Sequence, residues 1–332
     1  MMDRARFQTI LNAFSGKRII VLGDLMTDEY LWGRATRISP ESPVMVVEVD
    51  RETSVPGGAA NVVNNLLALG ASVAVMGVVG DDEAGKALSQ ALISEGADTK
   101  GIVVDASRPT TRKTRVVARN QQVVRIDREQ THPISPAVEQ SLLERAASAL
   151  RGSNAIVLSD YNKGVMTNAV SRTIVALAAK AGVPLIANSK PANVRALAGA
   201  PLVQLNRYEA QDTLSAVYLG RSHPRFLQDG EWEDAGALLR RELDVETLLV
   251  TRGEKGLSFW QSDGSVHNVP AHPVEVFDEA GAGDTVISAL TLGVAAGALL
   301  EEAGYIANRA AAAVVQKVGV ATVKVSELLA AW

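Results

Sequence analysis

Six short apolar runs rich in Val, Ile and Leu recur along the chain, at residues 18–22, 73–79, 155–158, 185–187, 202–205 and 247–251. Apolar runs of this length without polar alternation form strands buried on both faces, and such strands need helices above and below them. Helical patterns lie between and after the runs, near 59–69, 83–95, 136–150, 169–181, 235–243, 284–299 and 301–318. This alternation predicts an α/β fold: a doubly wound, mostly parallel sheet flanked by helices. With 47% apolar residues in 332, the chain has ample material for a core, and no repeat, low-complexity tract or Pro-rich linker divides it. One domain over 1–332 is the expectation.

Two segments break the rhythm. Residues 44–49 and 111–127 read as extended, the second as a hairpin turning at Arg119-Asn120-Gln121. Inserted between β/α units, they are expected to pair into a small sheet over about 30–52 and 110–128, serving as a lid, a dimer contact or both. The hairpin carries Arg112, Lys113, Arg115, Arg119 and Arg125, cations suited to closing over an anionic substrate.

Composition excludes several classes. A net charge of −4 argues against nucleic acid as a partner. The absence of cysteine rules out disulfides and thiolate chemistry and suits a reducing, cytoplasmic setting. Residues 1–18 lack a signal-type apolar core, and the run 286–300 is too short and too interrupted to span a bilayer, so no membrane role is expected. The histidines at 132, 223, 267 and 272 show no metal-binding spacing.

The chemistry concentrates near the end of the chain. Asp278-Glu279-Ala280-Gly281-Ala282-Gly283-Asp284-Thr285 joins a small-residue turn to an apolar helix. Backbone N–H groups at 281–283 would face an anion at the helix start, and Asp284 would stand as general base for a hydroxyl attacking a γ-phosphate. Gly23-Asp24-Leu25-Met26-Thr27-Asp28 follows the first strand, so Asp28 is either a sugar ligand or a cap or turn residue. Gly57-Gly58-Ala59-Ala60-Asn61 opens a helix with room for a polyol, Gly58 and Asn61 being the candidate contacts. Asn206 and Glu209 have the spacing of a helix cap, and Glu209 also suits a water of Mg²⁺. Thr251-Arg252-Gly253-Glu254-Lys255-Gly256 is a hairpin-like turn able to bind phosphate. Gly80 to Lys86 imitates a phosphate loop, but it holds three carboxylates and ends in Ala87 where a hydroxyl is required; it reads as a plain strand-to-helix turn.

With those residues in view, the sequence resembles the ribokinase-like sugar kinases, the phosphofructokinase B group, over essentially its whole length. Gly57-Gly58 with Asn61, and Asp278 with Gly281-Ala282-Gly283-Asp284, stand where that family has its two signatures. The resemblance implies a ribokinase-like fold with a β-sheet lid, ATP and Mg²⁺ as cofactors, and a sugar phosphate as substrate. It implies Asp284 as catalytic base, the 281–283 amides as anion hole, and Glu209 on the metal through water. Asn206, Glu209, Thr251, Gly253, Gly256 and Asn308 would lie on the nucleotide side. Asp28, Gly58 and Asn61, with Arg119, Gln122, Asp160, Lys163 and Lys190, would face the sugar and its phosphate. A homodimer formed through the lid is also implied.

Segments 23–30, 37–44, 119–122 and 158–164 are most similar to the branch of that family acting on O1 of a heptose 7-phosphate. Many relatives carry a nucleotidyltransferase with an H-x-G-H signature, absent here, so a stand-alone kinase is expected. Asn188-Ser189-Lys190 departs from the usual Asp-Pro-Lys, which puts the role of position 188 in question. Another sugar or nucleoside kinase and a non-catalytic sugar-binding regulator are the alternatives.

Overall fold

The structure, a computed structural model, describes residues 2–119, 121–217 and 231–330; Asn120 and His223 lie outside the described residues. Helix Arg4–Asn12 (α1) precedes the first core strand, Arg18–Gly23 (β1). The chain then leaves the core for two long strands, Leu25–Ile38 (β2) and Met45–Gly58 (β3), and returns through helix Ala59–Ala68 (α2). Strand Ser72–Val79 (β4), helix Glu83–Ser94 (α3) and strand Asp98–Val104 (β5) follow. A second excursion, Thr111–Ala118 (β6) and Gln121–Arg128 (β7), ends at helix Pro136–Leu150 (α4). Next come Ala155–Ser159 (β8), Asn168–Ala181 (α5), Leu185–Asn188 (β9), Leu202–Asn206 (β10), Arg207–Val217 (α6), Trp232–Leu243 (α7) and Thr247–Thr251 (β11). An antiparallel pair, Leu257–Gln261 (β12) and Val266–Val269 (β13), leads to helices Ala282–Ala295 (α8), Leu300–Val314 (α9) and Val325–Ala330 (α10).

The main sheet has nine strands in the order β13-β12-β11-β10-β9-β8-β1-β4-β5, parallel from β11 to β5. One apolar layer packs α1, α2, α8 and α9 against one face, and the other packs α4, α5 and α7 against the opposite face. Helix α8 accounts for the apolar run near the end: residues 284–293 are all buried, so it is a helix inside the core rather than on it. Ile287 and Leu290, at 0% exposure, each contribute roughly 1.5–3 kcal/mol of burial. The capping signals work as chemistry requires. Ser135 caps α4 with Pro136 behind it, Thr167 caps α5, and Gly182 ends α5 in the left-handed conformation at φ 65°.

Both inserted segments do join in a separate four-stranded sheet, order β3-β2-β6-β7. It is longer than the sequence suggested, because β2 was not foreseen as a strand. Asp28 therefore sits within a strand, facing Val55 of β3 and Lys113 of β6 in register, and the helix-cap or turn alternative falls away. Gly80 to Lys86 is the plain turn expected, with Asp82 capping α3 by accepting from the Gly85 N–H at 2.8 Å.

The direction of the winding changes at β1. Strand β4 lies on one side of it and β8 on the other, so the connections leaving β1 and β8 diverge and open a crevice at their C-terminal ends. Asp24, Asp160, Ser189, Asn206 and Thr251 all lie at the ends of parallel strands on this edge, with Asn206 and Thr251 adjacent in register.

Candidate active site

The loop before α8 is tied down by one carboxylate. Asp278 accepts from the Ala280 N–H through Oδ1 and from the Gly319 N–H through Oδ2, both at 2.9 Å. Gly281 then takes φ 78° as the helix cap, a conformation suited to glycine, and a Cβ there would stand 3.0 Å from Asn61 Nδ2. A Cβ at Gly283 would meet open space, so the helix start is approachable. Of the N–H groups expected to receive an anion, that of Ala282 is turned to the Glu279 carbonyl at 3.2 Å. Those of Gly283 and Asp284 lie in the first helical turn, where no intrahelical acceptor exists. Gln204, in register with Asn188 on β9, donates to the Gly283 carbonyl at 3.1 Å and braces the turn from below.

Asp284 is buried at 6% exposure. Asn61 donates to its Oδ2 at 2.7 Å and the Tyr161 hydroxyl donates to its Oδ1. The amide of Asn61 is oriented by a relay: Thr285 donates to Asn65 Oδ1 at 2.8 Å, and Asn65 Nδ2 donates to the carbonyl oxygen of Asn61 at 2.9 Å and to its side-chain oxygen at 3.3 Å. Burial pushes the Asp284 carboxyl up to about 6, while the bonds from Tyr161 and Asn61 pull the other way. A carboxylate titrating near 6 is suited to take a proton at neutral pH.

The segment after β8 is held by two buried acids. Asp24 accepts three backbone N–H groups, from Tyr161 at 2.7 Å, Lys163 at 3.1 Å and Val165 at 3.1 Å. Burial, then the neighbouring Asp160, lifts Asp24 to about 6. Asp160, expected to face the sugar, is instead turned inward at 1% exposure. Its carboxylate accepts from Asn162 N, Ser189 Oγ, Lys190 N and Asn193 Nδ2, and so it joins the segments after β8 and β9. Ser189, part of the departure from the usual pattern, contributes one of those bonds. The side-chain oxygen of Asn188 is buried without a protein partner.

Lys190 pairs with Glu209 and lies 5.2 Å from the centroid of the Tyr161 ring. The cap predicted at Asn206 is present: Asn206 Oδ1 accepts from the Tyr208 and Glu209 N–H groups at 2.9 Å, and Glu209 Oε2 accepts from Asn206 N at 2.8 Å. Both Glu209 oxygens are thus engaged, and among the described residues no three His, Asp or Glu side chains gather as a metal site. With its oxygens already taken, Glu209 would meet a magnesium ion only through water, a mode open to an ion that keeps several of its waters.

At the root of the small sheet, Asp28 Oδ1 accepts from Arg115. A Cβ at Gly57 would stand 2.1 Å from Asp28 Oδ2, and one at Gly58, at φ 56°, would stand 2.6 Å from Met26 Cε and 2.7 Å from the Asp24 carbonyl oxygen, so the room expected at Gly58 is taken up by close packing within the chain. Lys163 Nζ pairs with Glu129 at 2.8 Å, and Lys113 bridges Glu129 and Asp127. Arg119 and Gln122 are not brought to this cluster within the chain. They sit exposed at the hairpin tip, where Ala118 pairs with Gln121, five residues along β6 from the Asp28–Lys113 row and so about 17 Å away. Thr251 ends β11, and the following loop is the hairpin turn expected, with Gly253 at φ 58° and Gly256 at φ 84°. Asn308 on α9 donates to the Pro270 carbonyl and fixes the segment leading to the 278–283 loop.

Sequence reasoning missed Tyr161, Asp24, Asn65 and Gln204. Tyr161 and Asp24 each follow or adjoin the end of a core strand, the one signal that could have singled them out.

Residues 17–327 match the pfkB family carbohydrate kinases. This chain belongs to that family, and is a sugar kinase. Over 99% of its length it is 41% identical to the bifunctional protein HldE of Trichlorobacter lovleyi and 43% identical to that of Pelobacter propionicus. It spans 66% of the length of each. Among solved structures, phosphofructokinase-2 from Escherichia coli in complex with substrates and products superposes with a TM-score of 0.74 at 20% identity, covering 95% of this chain and 99% of that one. Arabidopsis thaliana ribokinase complexed with ribose and ATP gives 0.71 at 19% identity, with coverage of 95% and 99%. At these identities the two structures establish the ribokinase-like fold. No helix among the described residues is long and apolar enough to cross a membrane.

Proposed function

We propose that this pfkB-family kinase transfers the γ-phosphoryl group of ATP to O1 of D-glycero-β-D-manno-heptose 7-phosphate, giving the 1,7-bisphosphate and ADP on the way to ADP-heptose, a lipopolysaccharide core precursor. The observation that carries the reading is the buried Asp284 carboxylate at the open start of α8, beside unpartnered N–H groups. The choice of sugar rests on the similarity of segments 23–30, 37–44, 119–122 and 158–164 to the heptose-phosphate branch and on the 41% and 43% identity that 99% of this chain shows to two HldE proteins, of which it spans 66%.

In this account the anomeric hydroxyl attacks the γ-phosphorus. An O–P bond forms, the bond from the γ-phosphorus to the β,γ-bridging oxygen breaks, and the hydroxyl proton passes to Asp284. The N–H groups of Gly283 and Asp284 hold the migrating phosphoryl oxygens, and Lys190 offsets their charge. Magnesium, when bound with ATP, neutralises the β/γ-phosphates, and Glu209 would hold one of its waters. Asp28, Gly58 and Asn61 line the sugar. Lys163 is the cation for the substrate's own phosphate, since it stands on the same braced segment as Tyr161, and the phosphate would take it from its pairing with Glu129. Thr251, Gly253 and Gly256 flank the nucleotide, and Asn308 positions the approach to the loop.

The proposal extends to one kinase domain over 1–332, with the small sheet as lid, acting in the cytoplasm. It includes a homodimer formed on that sheet, where Met45, Val49, Val124 and Ile126 are exposed apolar groups that a second copy would cover.

A substrate screen tests the reading. ADP release is followed with ATP, Mg²⁺ and, in turn, heptose 7-phosphate, fructose 6-phosphate, ribose and adenosine. Heptose 7-phosphate should give a kcat/KM at least about tenfold above the others, the margin one well-made polar contact provides. Preference for another acceptor would replace the substrate, and no turnover with any would favour a sugar-binding regulator.

A further inference from the structure

We infer that Tyr161 is the positioning residue of the catalytic base: its hydroxyl fixes the Asp284 carboxylate as an acceptor, and its ring seats the Lys190 ammonium that faces the transferred phosphoryl. The inference rests on Asp284 as the base, not on which sugar is the acceptor.

The geometry is direct. The Tyr161 hydroxyl bonds Asp284 Oδ1, the oxygen that Asn61 does not take. Burial, then the charge of Asp284, lifts the Tyr161 phenol well above its ordinary range, so the hydroxyl keeps its proton and donates. Two neutral donors on one buried carboxylate offset part of what burial costs the charged form, since hydrogen bonds to an ionised acceptor are about twice as strong as neutral ones. The other charged groups acting on this carboxylate are Lys190, after β9, which favours ionisation, and Asp28 on β2, which opposes it. Glu209 on α6 acts on the phenol in the same direction as Asp284.

The ring is placed by its backbone rather than by chance packing. The Tyr161 N–H donates to Asp24 Oδ2 at 2.7 Å, and the next residue, Asn162, takes φ 56° with its N–H on Asp160. The ring face is thereby set against Lys190 Nζ at 5.2 Å while Glu209 pairs with the same ammonium. One side chain therefore touches the proton acceptor with its tip and the phosphoryl-side cation with its face. Substitutions that spare the ring should act on the base alone.

Tyr161→Phe keeps the ring and removes only the hydroxyl. The measurement is kcat/KM against pH, at saturating ATP, with whichever sugar the wild type phosphorylates. The wild-type profile should lose activity below about pH 6 as Asp284 protonates. In Tyr161→Phe the acid limb should move up by about one pH unit, because the lost bond stabilised the charged form. The loss of activity is then roughly tenfold below the limb and smaller above it, with KM for ATP unchanged. An acid limb that superimposes on the wild type, with a uniform loss at every pH, overturns the inference. A wild type with no acid limb overturns the Asp284 assignment instead.

A double-mutant cycle with Asp284→Asn provides a second reading. If Tyr161 works through the carboxylate, removing its hydroxyl should change single-turnover rate and melting temperature less in the Asp284→Asn background than in the wild type. Equal effects in both backgrounds contradict the inference even if Tyr161→Phe is itself less stable.

Discussion

At the scale of single residues, the site depends on short-range exclusions as much as on attractions. Gly57 shows this, because a methyl group there would sit 2.1 Å from Asp28 Oδ2, inside any allowed contact. The same carboxylate is held by Arg115, which lies over the Tyr30 ring at 5.4 Å. Gly57→Ala should therefore displace Asp28 without touching the Asp284 loop. We expect KM for the sugar to rise about tenfold, equivalent to roughly 1.4 kcal/mol, with KM for ATP unchanged. Measuring both constants checks this; an unchanged sugar KM would remove Asp28 from the sugar side. The carboxylates of Asp24 and Asp160 illustrate the opposite case. Each is buried and saturated by donors, so each shapes a loop instead of meeting a ligand. Position after a core strand does not by itself separate an Asp of that kind from one that meets a ligand. Asp24 and Asp160 each follow a small residue at a strand end, and only their folded partners show that they are turned inward.

At the scale of elements, the join between β10 and α6 carries two functions on one carboxylate. Glu209 closes the helix cap through Oε2 and holds Lys190 through Oε1. Glu209→Gln keeps a side-chain oxygen for the cap while removing the charge. We expect a melting temperature within a few degrees of wild type, since caps contribute only about 0.5–2 kcal/mol and this one is largely kept. The Mg²⁺ concentration needed for half-maximal rate should rise several-fold. A clear fall in melting temperature with unchanged Mg²⁺ dependence would leave Glu209 as a cap alone. The core strands and most helices were legible because a buried parallel strand is apolar throughout and its helices keep a regular stripe. Strand β2 was not, because it belongs to a small sheet with little core. Its sequence mixes Asp28, Glu29, Arg34 and Arg37 with aromatic residues, and bulges after Trp32 and Ala35 interrupt its alternation. The β12–β13 pair escaped for a related reason: Ser258 interrupts Leu257–Gln261, and His267 and Asn268 interrupt Val266–Val269, so neither reads as an unbroken apolar run. The Asp284 loop was legible because small residues, a carboxylate and an apolar helix are contiguous there. Tyr161 was not, because its partner lies 123 positions away.

At the scale of the molecule, the two sheets divide the work. The large sheet brings the ends of β1, β8, β9, β10 and β11 to one edge, and α8 delivers Asp284 to that edge from the core. The small sheet is rooted beside that edge at Asp28 and Gly58, exposes Met45, Val49, Val124 and Ile126, and in the proposed function contributes the sugar side. The account's central claim is that all of this serves proton removal by Asp284. Asp284→Asn tests it most directly, because the amide keeps size and much of the hydrogen bonding but cannot accept the proton. The account predicts turnover lower by roughly 10²–10⁴, with ATP affinity and melting temperature close to wild type. A folded Asp284→Asn protein that binds ATP and turns over at a near-normal rate would contradict it.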